Sequence, residues 1–193
     1  MFLMLKTHEE IFNQIFEIAN NFKKDEENYL LAYKYFLNYF KEVEDIQLDN
    51  IVIGISFTYS WMPTILKKID LTNPEKLVLI FNKVKDGEIL TTQELLILKN
   101  SFNNSIVGTS KLLHFINPEK YAIWDSRVFR FLTGKESHNS KFQDPKTYLE
   151  YLTLIEMLKK DTKFHNFYEL MMQKVGYEIS ESRALELAFF KGG

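Results

Sequence analysis

The sequence predicts an all-α, multi-helix protein of two lobes, and three observations carry that expectation. Apolar residues recur at intervals of three and four along most of the chain. Two Thr-x-x-Glu signatures, Thr7 with Glu10 and Thr91 with Glu94, match capping boxes. Asn73-Pro74 and Asp144-Pro145 then mark helix starts, with Gly87 and Gly134 as stops.

Taken in order, Ile11, Phe12, Ile15, Phe16, Ala19 and Phe22 predict a first helix over 8 to 23. After the charged KKDEEN break, Tyr33, Phe36, Leu37 and Phe40 repeat the spacing, so the first two helices are expected to pack antiparallel. IVIGISFTYSW, residues 51 to 61, has strand-like β-branched content but stands between helices, and is read as helix. Pro63 suits the first turn of another helix, and Asn73-Pro74 opens one through KLVLIFNKVKDG. Thr91 and Glu94 open a helix over QELLILKNSF.

A polar turn at Gly108, a short helix over SKLLHF and the loop NPEKYAIW follow. Asp125 opens the next helix, which closes before Gly134. Three more are expected: from Asp144-Pro145 to about 159, over 163 to 174, and from Ser180 through 190. The total is eight to ten helices, with lobes expected at 1 to 90 and 91 to 193.

At 193 residues and 46% hydrophobic content, the chain can bury a substantial core. Its formal charge of -2 is unevenly spread: residues 1 to 50 hold 5 Lys and no Arg against 10 acids, while residues 110 to 147 hold 7 basic and 4 acidic residues. A polyanion such as DNA is therefore expected to meet the middle of the chain, although solvated helix faces also vary in charge.

With no cysteine, disulfides, thiolate zinc sites, cysteine nucleophiles and cysteine-ligated iron–sulfur clusters are excluded. His8, His114, His138 and His165 lack metal-ligand spacing with carboxylates, so neither a metal nor a cofactor is expected. His114, on an apolar helix, reads as a hydrogen-bonded core residue. MFLML is too short for a signal-peptide core, and no apolar run approaches the ~20 residues of a membrane helix. A cytoplasmic protein without membrane association is expected. Glycine-rich nucleotide loops, nucleophile elbows and zinc-protease helix signatures are absent.

The informative stretch is 105 to 134, where Asp125 directly follows the apolar Ile123 and Trp124. A carboxylate beside an apolar run must be compensated by the backbone or used in chemistry. IVGTSK (106–111) and YAIWDSRVFRFL (121–132) resemble, in order and type, the helix-hairpin-helix DNA glycosylase superfamily. That family carries a hairpin like LPGVGR and then a segment like PILDxxVxRVxxR. The resemblance covers about 92 to 134. Ile106 stands where the family's first hairpin glycine would be, leaving only Gly108.

The resemblance implies that Asp125 stands at a helix N-terminus beside a flipped nucleotide. There it would stabilise positive charge on the sugar as the base departs, or orient an attacking water. Gly108, Thr109, Ser110 and Lys111 would contact a phosphate through backbone and side-chain donors. The plainer alternative is that Gly108 turns the chain and Ser110 caps a helix.

Lys111 is one residue past the position of the family's lysine nucleophile, a rotation of about 100 degrees on a helix, so water is the expected nucleophile. Arg127 and Arg130 share a face and would hold phosphate or pair with the acidic N-terminal lobe. Tyr59, Trp61, Tyr121 and Trp124 would line a base pocket or fill the core. A second reading keeps the fold without catalysis, as a module binding nucleic acid or protein. The last segment, SESRALELAFFKGG, reads as an amphipathic docking helix with Arg183 and Glu186 on one face, or as a partner surface.

Overall fold

The computed structural model describes residues 6–23, 28–62, 64–138 and 140–193, with side chains from residue 32 onward in the second helix. Among the described residues there are ten α-helices and no strand, so the chain is all-α. Residues 1–5, Pro63 and most of the KKDEEN break lie outside the described residues.

The helices are α1 His8–Asn20, α2 Asn28–Lys41, α3 Leu48–Ser60, α4 Pro74–Lys85, α5 Thr92–Ser101, α6 Ile106–Ile116, α7 Ser126–Thr133, α8 Pro145–Lys159, α9 Phe164–Val175 and α10 Glu181–Gly192. Both capping boxes form as expected: Thr7 and Thr91 accept the Glu10 and Glu94 amides, and each glutamate returns a bond to its cap. Asn73, Asp125, Asp144 and Ser180 also cap their helices. Gly87, Gly134 and Gly176 end helices or follow their ends with φ of 85°, 64° and 77°, the left-handed conformation glycine adopts without strain.

Residues 51 to 60 are helical, despite their β-branched content, because the segment buries a helical stripe. Ile51, Gly54, Ile55, Thr58 and Tyr59 are buried. At Gly54 α3 approaches its neighbours closely: a Cβ there would stand 2.9 Å from Leu112 Cδ1. A strand would have put alternate residues on opposite faces and broken this contact.

The chain divides into two compact units, Met1–Asp25 with Ala122–Gly193, and Glu26–Tyr121. The boundary expected near residue 90 falls inside the second of these. In the first unit, α10 packs on α1, α7, α8 and α9, and α1 also packs on α9. In the second, α6 is the central helix, contacting α2, α3, α4 and α5.

Two expectations are corrected here. The helices α1 and α2, expected to pair, fall in different compact units. The apolar face of α1 is taken by α9 and α10, with the Phe16 ring meeting Phe167 edge-on at 5.9 Å. Nor does a helix follow position 63, because Leu66–Ile69 carry no helical structure and Ile69 bridges to Phe102. The Asn103 side chain accepts the Lys67 and Lys68 amides at 2.8 and 2.7 Å and donates to the Ile65 carbonyl. Those bonds satisfy the backbone of the segment without a helix.

Candidate functional site

The first cluster is built around Asp125. Its backbone is extended (φ -143°, ψ 161°), and Oδ1 accepts the Arg127 amide at 2.9 Å, capping α7. Asp125 is half-buried. The carboxylate after an apolar run is thus compensated at least partly by the helix it opens.

The run leading into it is deeply enclosed. Trp124 is 0% exposed, and its indole N–H donates to the Phe142 carbonyl at 2.9 Å. The Trp124 ring also packs against Phe129, Phe142 and Tyr151. Trp124 is therefore closed within the packing and does not stand as the open wall of a base pocket. Tryptophan is buried in this way where its N–H finds an acceptor.

Arg127 is exposed, with its guanidinium over the Phe190 ring at 4.7 Å. Arg130 makes a two-pronged pair with Glu136, Nε at 3.0 Å and Nη2 at 2.9 Å. The pair raises the arginine further and lowers the glutamate, hydrogen bonding being the larger cause in both. A phosphate would have to displace this carboxylate to use Arg130. On the opposite side of α7, Val128, Phe129 and Leu132 are buried.

The second cluster is the hairpin between α5 and α6. Its turn is made by Asn103 and Asn104, with φ of 54° and 52°, and the Ser105 amide bonds back to the Phe102 carbonyl at 3.1 Å. Two successive positive φ values closed by an i to i+3 bond are the signature of a type I′ turn, for which asparagine is a favoured non-glycine residue. The turn was expected at Gly108. Gly108 instead lies in the first turn of α6, where the Ser105 hydroxyl accepts its amide at 3.1 Å.

This register changes what the hairpin residues face. Gly108, Thr109 and Ser110 are buried. The Thr109 hydroxyl bonds to the Ser105 carbonyl and the Ser110 hydroxyl to the Val107 carbonyl, each turned back into its own helix. Lys111 is half-buried, its ammonium 5.3 Å from the centre of the half-buried Trp61 ring. Among the hairpin residues expected to meet a phosphate, Lys111 is thus the one with an accessible side chain.

Tyr59 is 4% exposed and packs on Gly108; its enclosed hydroxyl finds no hydrogen-bond partner of good geometry. Burial pushes its phenol up, with Ser105 and Asn103 close enough to offset part of that. Tyr121 is 0% exposed, donating to the Glu88 carbonyl at 2.6 Å and accepting the Leu90 amide at 3.0 Å. Its backbone carbonyl meets His114 Nδ1 at 2.7 Å, and His114 Nε2 meets the Tyr33 hydroxyl at 2.7 Å. A carbonyl only accepts, so Nδ1 carries a proton and donates it to Tyr121. His114 is thus a hydrogen-bonded core residue, as its place on an apolar helix implied.

The site residues therefore fall into two groups. Asp125, Trp124, Arg127 and Arg130 belong to one unit, and Tyr59, Trp61, Gly108, Thr109, Ser110, Lys111 and Tyr121 to the other. Residues that sequence reasoning passed over include Asn103 and Asn104, whose adjacent asparagines are a turn signal, and Tyr148 and Tyr151, which carry no local signal. Among the described residues no group of three or more His, Asp or Glu is arranged to hold a metal ion, and no helix is long and apolar enough to cross a membrane. Compared with protein-family models, curated proteins and solved structures, the chain has no match.

Proposed function

We propose that this protein is a helix-hairpin-helix glycosylase-like hydrolase that breaks the N-glycosidic bond of a base displaced from DNA. The observation that carries the reading is the setting of Asp125: a half-buried carboxylate at a helix N-terminus, following a run whose polar groups are bonded to buried side chains and backbone. In the reaction the bond between sugar carbon and base nitrogen breaks, and the base leaves with the electron pair. Water supplies the new hydroxyl, and its other proton ends on the departed base. Asp125 stabilises the positive charge on the sugar, an electrostatic role that gains from a fixed carboxylate. Arg127, with an exposed side chain in the same unit, contacts the DNA backbone.

A second reading, a non-catalytic all-α module that binds nucleic acid or protein, is favoured by a different observation. The Thr109 and Ser110 hydroxyls turn inward, and Trp124 and Tyr121 are enclosed.

One experiment separates the two. Duplexes carrying different base lesions are incubated with the protein and with Asp125→Asn, then assayed for alkali-labile sites and for binding across a salt series. The hydrolase reading expects base release from at least one lesion, abolished in the variant while binding persists. No release across the panel overturns it. Steeply salt-dependent binding without release then identifies a DNA-binding module, and weak salt dependence a protein-binding one.

A further inference from the structure

The run Ala122–Trp124 lies in neither helix nor strand, and side chains serve its carbonyls. Tyr148 donates its hydroxyl to the Ala122 carbonyl at 3.0 Å, and Tyr151 donates to the Ile123 carbonyl at 3.2 Å. Both tyrosines are 0% exposed and stand one helical turn apart on α8. A phenylalanine would fill either space with the same ring, so it is the hydroxyl that brings each tyrosine's bond to its buried carbonyl. With the Trp124 indole fixed to Phe142, each of the three residues before Asp125 is held by a bond from a different group.

The helix α8 that carries Tyr151 packs on α10, where Arg183 (4% exposed) and Glu186 (1%) bond to each other inside the unit. Burial drives the Tyr151 phenol far up, and the negative charges of Glu186 and Asp125 act in the same direction. Tyr151 is therefore a permanent donor at any physiological pH.

We propose that Tyr151 is a positioning residue that fixes the Asp125 carboxylate through the Ile123 peptide. The inference rests on the role given to Asp125 above and deepens it. A carboxylate that stabilises a developing charge must sit within a fraction of an ångström of its place, and Tyr151 supplies that constraint two residues upstream.

The test compares Tyr151→Phe with Tyr168→Phe. The control removes a bond of the same kind, from Tyr168 to the Ile179 carbonyl at 2.7 Å in the same unit, away from Asp125. Two readouts are taken. The first is hydrogen exchange at the Arg127 amide, which bonds to Asp125, measured relative to the Ile15 amide of α1. The second is the split between kcat and KM for base release. Tyr151→Phe is expected to speed Arg127 exchange about 10-fold and lower kcat about 10- to 100-fold at unchanged KM. Tyr168→Phe is expected to do neither.

Unchanged Arg127 exchange in Tyr151→Phe overturns the inference, as does an unchanged kcat in an active protein. Should Tyr151→Phe fail to fold, Tyr148→Phe is read by the same criteria. If the wild-type chain releases no base and Tyr151→Phe still loosens Arg127, the hydrolase reading fails while the positioning relationship stands.

Discussion

The Tyr59 ring lies on the Cα of Gly108: a Cβ at that position would stand 2.8 Å from Tyr59 Cζ and 2.9 Å from Cε2, and closer still to the hydroxyl. Glycine is needed here for contact between α3 and α6, not for turning the chain. Tyr59 comes from α3, so the glycine that looked like a hairpin element is a packing element.

Gly108→Ala is therefore expected to destabilise the protein. Alanine gains up to about 1 kcal/mol in helix propensity, but overpacking a closed contact costs about 1–3 kcal/mol. Tyr59 is 4% exposed and cannot swing aside cheaply. A net loss of about 1–2 kcal/mol should appear as a lower urea midpoint at unchanged slope. Tyr59→Phe, which removes an enclosed hydroxyl lacking a good partner, should leave stability unchanged or raise it by about 1 kcal/mol.

Asp125 offers a cleaner separation of structure from chemistry. Asparagine caps a helix about as well as aspartate, so Asp125→Asn should shift stability by less than about 0.5 kcal/mol, whereas Asp125→Ala should cost about 1 kcal/mol. Thermal melts of the two variants check this. Retained stability in Asp125→Asn is what makes its loss of base release interpretable as chemistry.

Features that depend on near neighbours were legible in the sequence. Thr7 with Glu10 and Thr91 with Glu94 act over three residues, and each capping box formed where its spacing put it. The hairpin was misread because Gly108 outweighed Asn103-Asn104 as a turn signal, although paired asparagines tolerate the positive φ the turn uses. Partners far apart in sequence were not legible: nothing near Gly108 announces Tyr59, and nothing near Ile123 announces Tyr151. The assignment of α1 to the unit of α9 and α10 is of the same kind, since an apolar stripe states that a face is buried but not against what.

Acid stability should carry a contribution from Glu94. Its bond to Lys83 at 2.8 Å, joined by the Thr91 amide, holds the carboxyl down to about 2. Because the folded pKa lies below the unfolded one, the unfolded chain binds more protons between about pH 2 and 4.5. The stabilisation is fully present above the unfolded pKa and is lost as pH falls through the folded one. Lys83 is 36% exposed at its side chain, so screening reduces the contribution to about 1 kcal/mol. Glu94→Gln should be less stable than wild type at pH 7 and equally stable near pH 2, which denaturation at the two pH values will show.

The Arg183–Glu186 pair tests whether the buried charges of α10 are there for stability. Both residues are nearly inaccessible, so neutralising one partner takes this ion pair away from a charge that stays buried. Arg183→Met and Glu186→Leu should each cost about 3–5 kcal/mol. Replacing both with apolar residues, Arg183→Met with Glu186→Leu, removes two desolvation penalties together with their attraction. The double variant should therefore recover most of the loss, giving a coupling energy of several kcal/mol in a double-mutant cycle. If the double variant is as stable as wild type but its Arg127 amide exchanges faster, the pair acts on the Asp125 segment and not on the fold. If the losses simply add, each residue is held by separate contacts and the pair has no standing as a unit.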